Sequence, residues 1–330
     1  MRKAASASET HVAHAARDGL IRGNAVDAVV TGVLVAAADA PGVLLGPLQM
    51  LVGGAGAGLI AVDGRVRQPG RGAPRPRGFL VGEVIPEAAR VGVPALPAAL
   101  ATALASHGTR SLLRAAAPAI EWVRTRSAER AALLELIARR GAPAMAEDSV
   151  AVELTAIAGR GAQGLLTAAD LAEVRPALVR CPERALGPSG VLTVPWSGSA
   201  GSDGKCTHVV AAADGRGLVA VACYEVPTEG IAVPALGLVA PFAAAPVLRG
   251  RPRIAPDEPR PSSAPIALRA RKGIVDLAIA IATATNGQDA LASLLEACAI
   301  QPTFSAALAT VTEGQPVGIS AARDAVMVLA

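Results

Sequence analysis

A chain of 330 residues with a formal net charge of +4 can bury a large core, and its charge excess is too small to mark a nucleic-acid-binding surface. Lys3, Lys205 and Lys272 are its only lysines, and arginine tracts such as Arg71-Gly72-Ala73-Pro74-Arg75-Pro76-Arg77 carry no aromatic partner on which a base would stack. The four cysteines (Cys181, Cys206, Cys223, Cys298) form no CxxC pair, which argues against a zinc site or a disulfide scaffold.

The opening Met1-Arg2-Lys3-Ala4-Ala5-Ser6 meets polar Glu9, Thr10 and His11 where an export signal would have its apolar region, so a cytoplasmic location is expected. Glu9 to Ile21 reads as a helix ended by Gly23. Asn24 then caps a second helix, since its side chain can accept from the free N–H groups of the first turn. The apolar stretch from Ala25 to Val62 is broken by Asp27, Asp39, Pro41, Pro47 and a glycine run. It therefore predicts a buried helix followed by a buried strand, and no membrane span. Met50–Val52 and Leu59–Val62 read as two short strands around the Gly53–Gly58 turn, and Arg65–Gly78 as a Pro/Gly/Arg loop. From Pro94 to Glu173 the pattern is largely helical, with Leu96–Ser106, Leu112–Val123, Ala128–Arg139 and a later turn capped by Thr167.

After Pro176 short β-like runs take over: Val191–Val194, Thr207–Ala212, Leu218–Tyr224, Ile231–Val233, Ile266–Arg269 and Val326–Leu329. One late helix, near Asp289 to Ala299, interrupts them. A helical first half feeding a strand-rich second half predicts sheets covered by helices.

One tripeptide carries most of the chemical information. Cys206-Thr207-His208 opens a strand-like segment directly behind the pliable run Gly198-Ser199-Ala200-Gly201-Ser202-Asp203-Gly204-Lys205. A self-cleaving amidase needs a nucleophile behind a loop that can distort at one peptide bond. After cleavage the freed α-amine can act as general base for its own side chain. The alternative is a small buried core cysteine.

Several segments resemble, in the correct order, the γ-glutamyltransferase family of N-terminal-nucleophile hydrolases. Gly23-Asn24-Ala25-Val26-Asp27-Ala28 is similar to the family's early helix, and Val62-Asp63-Gly64-Arg65 to the strand end before its first substrate-contacting loop. Gly92-Val93-Pro94, Ala116-Ala117-Pro118-Ala119-Ile120 and Leu165-Leu166-Thr167-Ala168-Ala169-Asp170-Leu171 follow. Cys206-Thr207-His208 stands where the family has Thr-Thr-His, Asp214-Gly215 at the turn after the nucleophile strand, and Arg260-Pro261-Ser262-Ser263-Ala264-Pro265 at its Pro-x-Ser-Ser motif. The resemblance spans nearly the whole chain, which is shorter than usual members through loss of helical-domain material.

The resemblance implies an α/β (α+β) fold, a four-layer αββα N-terminal-nucleophile hydrolase sandwich with a reduced helical region. It also implies cleavage between Lys205 and Cys206. Residues 1–205 would form a large-subunit-like part and 206–330 a small-subunit-like part, staying together as one compact domain. By resemblance Cys206 is the nucleophile, Thr207 orients its strand, and Ser262 and Ser263 hydrogen-bond the acyl part of the substrate. Arg65 grips a substrate carboxylate through its bidentate fork. Cys223 falls near the family's second threonine, which supports the nucleophile, although a core cysteine fits there equally. His208 as a separate base is the weaker idea.

Two departures narrow the function. Gly230-Ile231-Ala232-Val233-Pro234 is followed by Leu236 to Ala245 with no acid where the family holds the glutamyl α-amine, and a buried unpaired ammonium is costly. The family's Gly-Gly oxyanion pair is replaced by Ala282-Thr283-Ala284-Thr285-Asn286-Gly287, where Thr285 and Asn286 remain as donors. The expected function is therefore a self-processing amidohydrolase or acyltransferase acting through a thioester on a small-molecule or peptide-like amide that is not a standard γ-glutamyl donor. The alternative is a catalytically inactive family member serving as a scaffold or binding protein. No metal or organic cofactor, nucleic acid or membrane is expected. The partners would be the substrate and the chain's own two fragments, with a homodimer as a further option.

Overall fold

The computed structural model describes residues 3–54, 56–76, 78–186, 189–196, 206–271, 274–282, 287–300 and 315–320, of which 186, 206, 299, 300 and 315–320 are described in backbone only. In chain order the elements are β1 (Lys3–Ala7), α1 (Thr10–Arg22), α2 (Ala25–Asp39), β2 (Leu48–Gly54), β3 (Gly58–Gly64), α3 (Leu96–His107), α4 (Leu112–Arg124), α5 (Ala128–Arg140), α6 (Asp148–Ala158) and α7 (Ala168–Ala172). Then follow β4 (Ala177–Arg180), β5 (Arg184–Leu186), β6 (Ser189–Thr193), β7 (Cys206–Asp214), β8 (Leu218–Val226), β9 (Gly230–Val233), β10 (Leu238–Pro241), β11 (Ile266–Arg271), β12 (Ile274–Ala282), α8 (Gly287–Ile300) and β13 (Gln315–Ser320).

The strands form a six-stranded sheet in the order β1-β7-β8-β2-β3-β4, a five-stranded sheet in the order β13-β12-β11-β6-β5, and a β9–β10 hairpin. The strand pairings in both sheets are antiparallel, and because successive residues of a strand point to opposite faces, the inner strands serve two cores. On one pleat of the larger sheet Met50, Val62, Val210, Ala212, Ala222 and Tyr224 pack under α1–α5. On the other, Leu51, Ala61, Val209, Ala211, Val221 and Cys223 meet Leu192, Ile266, Leu268, Ala278 and Ala280 of the second sheet. The outer face of that sheet, through Ala267, Leu277, Ile279 and Ile281, packs on Leu291, Leu294, Leu295 and Cys298 of α8. This sequence of layers is a four-layer αββα sandwich, the architecture the resemblance implies.

Local signals account for much of the helical layer. Asn24 accepts from the N–H groups of Val26 and Asp27 while Asp27 accepts from the Asn24 N–H, a reciprocal cap that starts α2. Asp27, fully buried, also accepts from the N–H groups of Thr109 and Arg110 and from the Thr109 hydroxyl, which ties the α3–α4 turn to α2. Thr167 caps α7 as its position predicts. Gly53 marks a close approach of the sheets, since a Cβ there would fall 2.8 Å from Leu268 Cδ1. Among the described residues no helix is long and apolar enough to cross a membrane.

The strands β1, β4, β5, β10, β12 and β13 and the individual helix α6 are additions to the sequence reading. Val326–Leu329, expected as a strand, lies outside the described residues.

Candidate active site

The pairing registers bring one end of the larger sheet to a common edge. Cys206 starts β7 opposite Val226 at the end of β8, Tyr224 pairs with Leu48 at the start of β2, and Leu48 pairs with Gly64 at the end of β3. Arg65 follows directly. Cys206 and Arg65 therefore share an edge three strand spacings apart, about 14 Å. In the second sheet β6 ends at Thr193, paired with Ala267 near the start of β11, and Ile266 pairs with Ala280 near the end of β12. Trp196, Ser262 and Ser263 are thus all placed by chain direction at one end of that sheet.

Gln49 joins the two ends. Its amide nitrogen donates to Ser262 Oγ and to the Ser263 carbonyl, each at 2.9 Å, and to the Ser262 carbonyl at 3.3 Å. Its amide oxygen accepts from Trp196 Nε1 at 2.6 Å. Gln49 is buried in β2, so this one side chain satisfies itself by holding both the exit of β6 and the entry of β11. Its neighbour across the ladder, Cys223, points its thiol at the Ser263 carbonyl at 3.8 Å.

Arg65 lies over the Trp196 ring, 5.0 Å from its centroid. Its fork is already engaged: Nε and Nη2 donate to the two oxygens of Asp63 at 2.9 and 3.0 Å, and the Arg65 N–H donates to Asp63 Oδ1 at 3.0 Å. Arg67 Nη2 adds a contact to Asp63 at 3.3 Å. All three side chains are largely out of solvent.

Thr207 is buried on the inter-sheet pleat opposite Glu225, itself a buried carboxylate. Burial pushes the Cys223 thiol far up, and Glu225 pushes it further, so Cys223 stays protonated at neutral pH. It can donate a weak hydrogen bond but cannot act as a thiolate. On the helix-facing pleat His208 stacks on Tyr224, whose hydroxyl donates to Glu9 at 2.9 Å, while His208 Nδ1 lies 3.6 Å from the same carboxylate.

Of the residues expected from sequence, Arg65, Ser262, Ser263 and Cys223 are thus drawn into one connected cluster at the edge where Cys206 begins β7, with Thr207 one position inward. Lys205, Thr285, Asn286 and the Cys206 side chain lie outside the described residues. Sequence reasoning missed Gln49, Asp63, Trp196 and Glu225. Gln49 had one available signal: it is the single polar residue of Leu48-Gln49-Met50-Leu51-Val52, and a lone amide in a buried strand must find partners.

No family model matches the sequence, and no curated protein matches it. Solved structures do. Cephalosporin acylase from Bacillus halodurans superposes with a TM-score of 0.71 at 16% identity, over 95% of this chain and 85% of that one. The structure of LmbA2991HD matches with a TM-score of 0.71 at 14% identity, over 97% of this chain and 95% of that one. γ-Glutamyltranspeptidase from Pseudomonas nitroreducens, complexed with L-DON, matches with a TM-score of 0.51 at 21% identity, over 59% of this chain and 72% of that one. The four-layer αββα fold is the one this chain shares with these structures. At these identities the likeness concerns the arrangement of the layers.

Proposed function

We propose that the chain is a self-processing amidohydrolase of the N-terminal-nucleophile type with Cys206 as its nucleophile. The carrying observation is positional. Cys206 is the first residue of an inner strand, at the sheet edge that also gathers Arg65, Ser262 and Ser263. The fold it shares with an acylase and a transpeptidase supports an enzyme of amide chemistry.

In the precursor, Cys206 Sγ would add to the Lys205 carbonyl and the C–N bond would break, moving the acyl group to sulfur. That shift frees the Cys206 α-amine, and water then hydrolyses the thioester to give the Lys205 carboxylate and the Cys206 thiol. In the mature protein the amine takes the thiol proton, sulfur adds to the substrate amide carbonyl, and the departing amine receives the proton. Water resolves the second thioester and releases the acid. Glu225, one residue away in register, is a carboxylate suited to stabilising the α-ammonium formed in the first step. Ser262, held by Gln49, would present its hydroxyl to the acyl group. Thr285 and Asn286 remain the proposed oxyanion donors.

Intact mass and a denaturing gel test the reading. Two fragments, residues 1–205 and 206–330, are expected from the purified protein, with Cys206→Ala staying in one piece. An intact chain that does not cleave on incubation and does not react with thiol-directed acyl probes overturns it. That result favours the second reading, a non-catalytic binding protein, for which the closed Arg65–Asp63 pair is the specific support.

A further inference from the structure

Away from this edge, a cavity of about 530 Å³ opens between residues 72–76 and 78–79 on one side and the 160–167 segment that leads into α7 on the other. That volume lies within the roughly 300–1,000 Å³ range of small-molecule sites. Phe79, Leu166 and Val247 give it an apolar wall, and Arg75 and Arg160, both exposed, also line it. Neither guanidinium makes an ion pair or hydrogen bond to a described residue, whereas the nearby Arg71 is paired with Glu173 and Asp257. One carboxylate, Glu83, also lines the cavity and accepts from the Leu80 N–H. Two arginines less one glutamate leave a net charge of +1.

A third guanidinium lies close by. A Cβ on Gly70 would fall 2.6 Å from Arg253 Nη2 and 3.8 Å from Cβ of Leu165, a lining residue. Arg253 Nε and Nη2 are out of solvent without a hydrogen-bond partner among the described residues. A desolvated cation beside a greasy wall raises the local potential in favour of an anion.

We propose that this cavity binds a small monoanionic carboxylate with an apolar body, its carboxylate at Arg75 and Arg160 and its hydrocarbon against Phe79, Leu166 and Val247. The guanidinium fork matches a carboxylate, two arginines against one glutamate in the lining favour an anion over a cation, and the apolar wall gives a hydrophilic anion nothing to cover. None of the lining residues belongs to the Gln49 cluster, so the site is separate from the edge that carries Cys206 and does not depend on its chemistry.

Calorimetric titration of the full chain with octanoate tests this, with octylamine and inorganic phosphate as controls. Octanoate should bind saturably at one site, and octylamine and phosphate at least about tenfold more weakly. Arg75→Ala and Arg160→Ala, both exposed, should each weaken octanoate about tenfold. Ala73→Trp, which fills the cavity from its loop, should remove binding while urea unfolding is unchanged. Cys206→Ala should bind as the parent does. Absence of saturable octanoate binding, equal binding of octylamine or phosphate, indifference to the arginine variants, or loss in Cys206→Ala overturns the proposal.

Discussion

Asp63→Asn is the most direct probe of the cluster's electrostatics, because the change keeps the shape and removes the charge. Asp63 accepts four hydrogen bonds, from the Arg65 N–H, Arg65 Nε, Arg65 Nη2 and Arg67 Nη2, and its side chain is 3% exposed. Asparagine retains one oxygen for the Arg65 N–H and Nε. Its NH2 group would then face two guanidinium donors across 3.0 and 3.3 Å. Two charge-assisted bonds at about 1.5–3 kcal/mol each are lost, and two arginines that are 12% and 8% exposed lose their counter-charge. That agrees with the roughly 3–5 kcal/mol typical of breaking a buried pair from one side. Urea unfolding followed by circular dichroism should show a midpoint lower by about 1 M, given a slope near 3 kcal/mol/M for a chain of this size. A double-mutant cycle with Arg65→Met should give a coupling above about 1 kcal/mol. A variant within about 0.5 kcal/mol of the parent, with no coupling, would refute the view that Asp63 is the counter-ion organising this edge.

Gln49→Ala should leave Trp196 Nε1 and the Ser262 hydroxyl without their partner, costing about 2–4 kcal/mol and shifting tryptophan emission to the red as water reaches the ring; an unchanged spectrum would contradict the network. Asp27→Ala should cost about 3–5 kcal/mol in urea unfolding, because several backbone donors lose their acceptor inside the α2–α3–α4 packing, and a cost below 1 kcal/mol would refute that role. The buried thiols predict a pH dependence. Below about pH 9 Cys223 is protonated in both folded and unfolded chains; above it the unfolded chain loses the proton first, so stability falls as pH rises, by at most about 1.4 kcal/mol per pH unit. Cys181, pushed up to about 11 by burial, adds a fall of the same sign between about pH 9 and 11. Cys223→Ala should flatten the slope measured by urea unfolding at pH 8, 9 and 10, and an unaltered slope would count against the assignment.

The helices and inner strands were legible because their signals are local. Asn24, Thr167 and Gly23 punctuate the chain, and the helices from Leu96, Leu112 and Ala128 start where the sequence places them. The missed strands have non-local causes. Lys3–Ala7 is mostly alanine, which has little strand preference, and it is a strand because β7 offers it a partner. Ile274–Ala282 is buried on both faces, so it lacks the polar alternation that would announce it. The site shows the same division. Cys206, Ser262, Ser263 and Arg65 stand in short motifs, whereas Gln49 and Trp196 acquire their roles only when the two sheets stack. Gln49 and Ser263 are 214 positions apart in sequence, and no window along the chain contains both.

On the function proposed above, the two charges of a γ-glutamyl group each meet an unsuitable partner. The segment where an acid would hold the α-ammonium folds as β9, the turn after it and β10, and carries none from Leu236 to Ala245. Phe242 in that stretch has Arg90 over its ring, 6.0 Å from the centroid, a charge of the ammonium's own sign. The α-carboxylate would look to Arg65, whose Nε and Nη2 are closed on Asp63 and whose face is on Trp196. A substrate carboxylate would have to displace Asp63 or approach two centres that already share a negative charge. Both terms penalise the zwitterionic end of a glutamyl donor, and neither affects an uncharged acyl chain. Simple N-acyl anilides should therefore be hydrolysed at least about tenfold faster, in kcat/KM, than γ-glutamyl anilide by the processed protein, a difference of about 1.4 kcal/mol or more in transition-state binding. Asp63→Asn, by freeing the Arg65 fork, should narrow that ratio. Preference for the γ-glutamyl compound in the parent would show that its charges find partners elsewhere and would remove the basis for an uncharged acyl site.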